Sequence, residues 1–137
     1  MSIANPGMSG DRAQSVIAAA RIIMGLCLMY FGISKFWFVD GTIAFVATKL
    51  PMAAFVFWLS VVIETGGGLL MVLGVKTRWV AAWFAFYLCF TAVVFHTNFA
   101  NRGIMDHFFE NIALAGGFLY MMAVGPGAAA LDNRSRD

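Results

Sequence analysis

Long apolar runs alternate with short polar breaks along the whole chain, and the lengths of the runs decide what they form. Apolar stretches cover about 13–38, 52–75, 79–99 and 108–124. Each is near the roughly 20 residues that a helix needs to cross the hydrocarbon core of a bilayer. The pattern predicts an all-α integral membrane protein, a four-helix transmembrane bundle. Residues 1–12 are rich in Gly, Ser, Asn and Pro and read as a disordered tail, and residues 129–137 read as a C-terminal tail. The first run follows Asp11 and Arg12 and has no small-x-small cleavage site behind it, so it is expected to stay in the mature chain and not to act as a cleaved signal. Pro51 is expected in the opening turn of the second helix, where a missing N–H costs nothing. Gly125, Pro126 and Gly127 mark the end of the fourth.

The breaks carry further information. Only Lys76, Thr77 and Arg78 separate the second and third runs, so these helices are expected to be antiparallel neighbours. The break over Val39–Leu50 is half apolar and too short to span, which predicts a surface-lying or re-entrant segment on the outer side. Arg12, Lys76, Arg78, Arg134 and Arg136 fall on one side of the membrane, and Lys35, Lys49 and Arg102 on the other. The excess of basic residues places both termini in the cytoplasm. No internal sequence repeat stands out, although the runs can be grouped as two helix pairs.

Composition fits this picture. Of the 137 residues 61% are hydrophobic and 12% charged, against about 45–50% and 25% for soluble domains, and the mean hydropathy is +0.82. The net charge of +2 is scattered between apolar runs, whereas a nucleic-acid partner needs a basic face. Cys27 and Cys89 stand alone in apolar runs, away from any CxxC, haem-attachment or zinc spacing, and are expected to fill the core. The nine Met and 14 Phe are assigned to packing or lipid contact. Trp37, Trp58 and Trp79 lie toward span ends, as interfacial aromatic residues do.

Ionisable residues inside spans cost about 2.5–3.5 kcal/mol each and usually face the bundle interior, which makes Arg21, Lys35, Glu64, His96 and Glu110 the candidate chemistry. Their spacing suggests polar and small residues on shared helix faces: Arg21, Gly25, Leu28, Gly32 and Lys35; Glu64, Gly67, Gly68 and Met71; Ala82, Ala85, Cys89, Ala92 and His96; Glu110, Ala113, Gly117, Tyr120 and Val124. At a rise of about 1.5 Å per residue, Lys35, His96 and Glu110 fall roughly 24–27 Å from the cytoplasmic end and Glu64 roughly 15 Å. One cluster in the outer half is expected. Arg21, deeper on the cytoplasmic side, is a candidate partner of Glu64, and so is Lys35, the sequence leaving the choice between them open; such a pair serves equally to lock helix register. His107, Glu110 and His96 offer at most three ligands with no fourth, so no metal centre is expected.

With these residues placed, the chain resembles the DoxX family of small four-helix membrane proteins over about Arg21–Asp132. The resemblance consists of Arg21 opening the first span and Gly32-x-x-Lys35 closing it, Pro51, Glu64-x-x-Gly67-Gly68, Gly74-x-x-Thr77-Arg78, Glu110-Asn111, and Gly125-Pro126-Gly127 with Leu131-Asp132 at the close. It implies an integral subunit of a quinone-linked oxidoreductase in a bacterial inner membrane, since the name-giving members are small subunits of a thiosulfate:quinone oxidoreductase. Quinone is then the expected cofactor. No flavin or dinucleotide motif is present, nor the several in-membrane histidines of a haem-copper oxidase. Lys35, His96 and Arg21 are the candidates for quinone or ion-pair contacts, and Glu64, His96 and Glu110 for proton relay. Two other classes fit the same chain: a structural subunit of a larger membrane complex, and a transporter of protons or small molecules acting as a homo-oligomer. The partners expected are the bilayer and a membrane complex or further copies of the chain, without nucleic acid.

Overall fold

The computed structural model describes residues 10–134, so most of the N-terminal tail and Arg136 lie outside the described residues. Among the described residues there is no strand. The elements are α1 (Gly10–Ser34), a 3-10 turn (Lys35–Trp37), α2 (Val39–Ala47), α3 (Ala53–Leu73), α4 (Thr77–Phe95), α5 (Arg102–Val124) and the short α6 (Leu131–Arg134). Four of them, α1 with its 3-10 turn, α3, α4 and α5, are long and apolar enough to cross a membrane. The protein is a four-helix membrane bundle.

Boundaries differ from the hydropathy reading where hydrogen bonding, not polarity, sets the end of a helix. α5 starts at Arg102, six residues before the apolar run, because the Asn101 side chain accepts from the Ile104 N–H at 3.3 Å and caps it. A polar first turn is no obstacle to a helix outside the hydrocarbon. Pro51 lies ahead of the helix it was expected to open, since Met52, in the left-handed region at φ 54°, precedes Ala53 as N-cap. α4 stops at Phe95, short of Phe99.

The helices pack as two pairs, α1 against α3 and α4 against α5, while α3 and α4 touch little along their length despite the short turn between them. Small residues bring the first pair together. A Cβ built on Gly25 would come within 2.7 Å of the Gly68 carbonyl oxygen, and one on Gly68 equally near the Gly25 oxygen, so the backbones cross where only glycine fits. The stripe of Arg21, Gly25, Leu28 and Gly32 is buried, as are Glu64, Gly68 and Met71. The second pair meets through larger groups. Phe84 and Phe118 stack at 5.5 Å within a core that includes Ala81, Ala85, Leu88, Ala115 and Met121.

This corrects two of the four expected faces. On α5 the buried residues are Ala115, Phe118 and Met121, one step round from the expected stripe, and Glu110, Ala113 and Tyr120 are exposed. On α4 the core face is Ala81, Phe84, Ala85, Leu88 and Ala92. Cys89 is exposed, as is Cys27, so neither fills the core. Both stand on the apolar outer surface together with residues such as Ile23, Leu26, Phe86 and Val93.

Arginine closes the end of the bundle that holds both described termini. Arg21 is fully buried and does not pair with Glu64. Its Nη1 donates to the carbonyls of Met71 at 2.7 Å and Val72 at 2.6 Å, its Nε to Pro126 at 2.9 Å, and its Nη2 reaches Ala129 at 3.3 Å. Of the two cations open to Glu64, Arg21 is engaged elsewhere for a physical reason: carbonyls at the end of a helix run short of helical partners, and a guanidinium offers five donors to them. Arg78 repeats the device on the second pair, donating to Met122 at 2.7 Å and Ala123 at 2.6 Å at the end of α5. Asp132 completes this end by accepting from the N–H groups of Lys76 at 2.6 Å and Thr77 at 2.8 Å, at the start of α4.

Candidate functional site

Away from the termini the two pairs separate and leave a cavity of about 410 Å3, within the range that holds a drug-sized ligand. Its walls come from α3 and α4 and its cover from α2. Most of the lining is apolar or aromatic, including Leu59, Ile63, Trp83, Phe86 and Phe90. The polar groups gather at one place. Lys35 Nζ lies 2.7 Å from Glu64 Oε1 and 2.8 Å from Ser60 Oγ, and Tyr87 OH donates to the same Glu64 oxygen at 2.7 Å.

Local structure explains this convergence. Side chains on a helix lean toward its N-terminus, so Lys35, at the far end of α1, is directed back toward the middle of the bundle instead of out to the interface. Ser60 and Glu64 are four apart and share a face of α3. Tyr87 follows Val75 by twelve residues and Glu64 precedes it by eleven, which places the two side by side on helices joined at that turn.

The bonding is incomplete in a way that matters. Glu64 is 8% exposed, and its Oε2 is buried with no hydrogen-bond partner. An ionised carboxylate buried with one oxygen unsatisfied is costly. Lys35, with three N–H donors, has two partners here, Ser60 and Glu64. Glu64 and Lys35 both line the apolar cavity, so the cluster beside it holds one acceptor and one donor that its own bonds leave unused.

His96 lines the same cavity toward its far end, with Nδ1 buried and unpartnered. Its ring centre is 5.6 Å from that of His107, whose Nδ1 is 2.8 Å from Glu110 Oε2. Burial holds the His96 imidazole below its usual proton affinity; His107 adds to this and Glu110 partly offsets it. His96 is therefore neutral at pH 7. Its contribution to stability has a definite sign: an unfolded chain binds this proton near pH 6.5 and the folded one resists it, so stability falls as pH drops below that value. Thermal melting in detergent between pH 7.5 and 5 is expected to show a loss that His96→Gln reduces; an unchanged slope would exclude His96 as its source.

The single outer cluster expected from depth is in fact two groups. Lys35, Glu64, Ser60 and Tyr87 form the buried one. Glu110 and His107 have side chains 64% and 61% exposed, and Glu110 does not line the cavity. Among the described residues no three His, Cys, Asp or Glu side chains converge as a metal set. Arg21 lies at the opposite end, engaged with backbone carbonyls. Tyr87 and Ser60 were not singled out in the sequence, although the four-residue spacing of Ser60 from Glu64 and the symmetry of Tyr87 about the turn both point to them.

The DoxX family model matches residues 16–97, and that segment contains every residue that lines the cavity, from Lys35 to His96. The chain belongs to the DoxX family. Two relatives from Escherichia coli strain K12 extend the likeness over most of the chain. The inner membrane protein YphA is 37% identical over 127 residues, covering 87% of this chain and 89% of its own. The inner membrane protein YqjF is 33% identical over 116 residues, covering 85% and 88%. No solved structure matches. In this DoxX protein the polar site thus lies wholly inside the family segment, whereas Glu110 and His107 lie beyond it.

Proposed function

We propose that this DoxX protein is the quinone-binding membrane subunit of an oxidoreductase complex in a bacterial inner membrane, with both termini in the cytoplasm. The observation that carries the reading is Glu64: a carboxylate inside the membrane that lines an apolar cavity, tied through one oxygen to Lys35 and Tyr87, with the other oxygen buried and unpartnered. A bound quinone would supply a carrier of two electrons and two protons, the electrons being exchanged with a redox centre on a partner subunit.

The residues present suit both forms of such a headgroup. Lys35 has an N–H for a carbonyl oxygen, and Glu64 Oε2 accepts from a hydroxyl and can hold its proton. Tyr87 and Ser60 fix the carboxylate and the ammonium, so that neither has to reorganise when a proton moves. The aromatic walls exclude water and seat a flat ring. His96, neutral and at the far end of the cavity, is placed to pass a proton toward His107 and the surface. Arg21 has no part in this chemistry and serves the fold.

Glu64→Gln tests the reading, because the amide keeps the shape and loses the proton site. Quinone-dependent turnover of the purified complex is expected to fall by about 10²-fold or more, while the protein still inserts and elutes as a single species. Normal turnover in that variant would reject the proposal.

A further inference from the structure

The cavity is bounded differently at its end, under α2, and at its side, between α3 and α4. On the side away from the termini it is covered by α2 and the turn that follows, through Thr42, Phe45, Val46 and Leu50. Val46 is buried, and the Phe45 ring lies 5.8 Å from that of Phe95 at the end of α4. An aromatic contact from α2 to α4 thus bridges the gap between the helix pairs where water would otherwise enter. At the side, between α3 and α4, no ring contact joins the helices among the described residues, and the tie between them is the hydrogen bond from Tyr87 to Glu64. There the lining residues Leu59, Trp83, Phe86 and Phe90 are 44–62% exposed on the same apolar surface that meets the acyl chains.

We infer that the cavity fills from the bilayer through a mouth between α3 and α4, and that its occupant is an amphiphile whose hydrogen-bonding head reaches Glu64 while its hydrocarbon chain stays in the mouth. The inference rests on the cavity being the ligand site, as proposed above, but not on the ligand being a quinone. Two independent features support it. The charged groups of the lining, Glu64 and Lys35, sit together with Ser60 and Tyr87, so a ligand that pairs with them must have a polar end that travels inward. The path to it is lined by apolar side chains that are already in contact with lipid, where a chain loses no favourable environment as its head docks. α2 is then a roof that keeps water from the carboxylate and a headgroup from escaping into it, which strengthens every electrostatic contact beneath.

The test uses the full chain in lipid vesicles, with Cys27 and Cys89 replaced by Ala and a single cysteine introduced in the cavity wall as Thr91→Cys, or in a second variant as Ile63→Cys. Two probes are compared: an alkyl maleimide dissolved in the bilayer and a sulfonated maleimide confined to water. The alkyl reagent is expected to modify either cysteine about tenfold faster or more, in keeping with its enrichment in the membrane. Opening the roof with Phe45→Ala should let the sulfonated reagent catch up. Equal rates with the roof intact, or no reaction of either reagent at both positions, would overturn the inference. Adding a decyl-substituted benzoquinone to the same vesicles separates this result from the proposed function. Protection of the cysteine supports both, whereas labelling from the bilayer without protection keeps the route and removes the quinone.

Discussion

Arg21→Met will keep the protein from accumulating as a folded species. The substitution takes from the Val72 and Pro126 carbonyls the donors they have from Arg21 and leaves Met71 with the Gly74 N–H at 3.1 Å, and each acceptor so orphaned costs about 1–3 kcal/mol. Two of them, together with the space left by a fully buried guanidinium, are a large share of the stability of a typical domain, about 5–15 kcal/mol. Arg21→Lys will recover little, because an ammonium is a point charge that cannot span the end of α3 and the segment after α5 at once. Size-exclusion profiles and melting in mild detergent measure both variants. A Met variant that melts like the parent would show that water or lipid headgroups serve these carbonyls.

The second large effect concerns Lys35 and separates stability from ligand binding. Lys35→Met removes the countercharge 2.7 Å from Glu64 and leaves a carboxylate whose side chain is only 10% exposed. Breaking a buried pair on one side costs about 3–5 kcal/mol. Replacing both members by apolar groups of similar volume is often neutral or stabilising, so Lys35→Met combined with Glu64→Met is expected to melt near or above the parent. That double variant should bind no quinone. A purely structural ion pair predicts the same melting series with binding untouched, so the pair of measurements decides which role the charges have. If the double variant were as unstable as the single one, Ser60 and Tyr87 would be holding the site together through contacts of their own.

Reading the sequence was most successful where one physical constraint acts alone. The number of spans, the tight turn at Lys76–Arg78 and the buried faces of α1 and α3 follow from bilayer thickness and from glycines that permit close approach. It failed on α5, where the spacing puts Glu110 on the inner face with Ala113, Gly117 and Tyr120, although Glu110 is exposed together with its neighbours Asp106 and His107. At the end of a span, beyond the hydrocarbon, they gain more from water, and the larger Phe118 and Met121 fill the core. It left the partner of Glu64 open between Arg21 and Lys35, because charge alone does not show that Arg21 is drawn to the unsatisfied carbonyls that a helix end presents. Of the candidate site, Lys35, Glu64 and His96 were visible as polar residues out of place in apolar runs. Tyr87 was not, since a tyrosine among aromatic residues looks ordinary until its hydroxyl is seen against Glu64.

The two arginine clasps bear on the order in which the protein can be made. Arg78 and the carbonyls it serves, Met122 and Ala123, belong to the pair α4 and α5, and Arg21 and the end of α3 belong to the pair before it. Each pair thus carries the means to close its own end as soon as its second helix has entered the membrane. The ribosome needs to deliver α1 to α3 only once for the first half to become self-sufficient. What waits for the last residues is the seam between the halves: the bonds from Arg21 to Pro126 and from the Asp132 N–H to the Gly74 carbonyl at the end of α3. Biogenesis would then proceed as two insertions followed by a single late fastening, and a chain that stalls before its final turn would leave two sound halves unjoined.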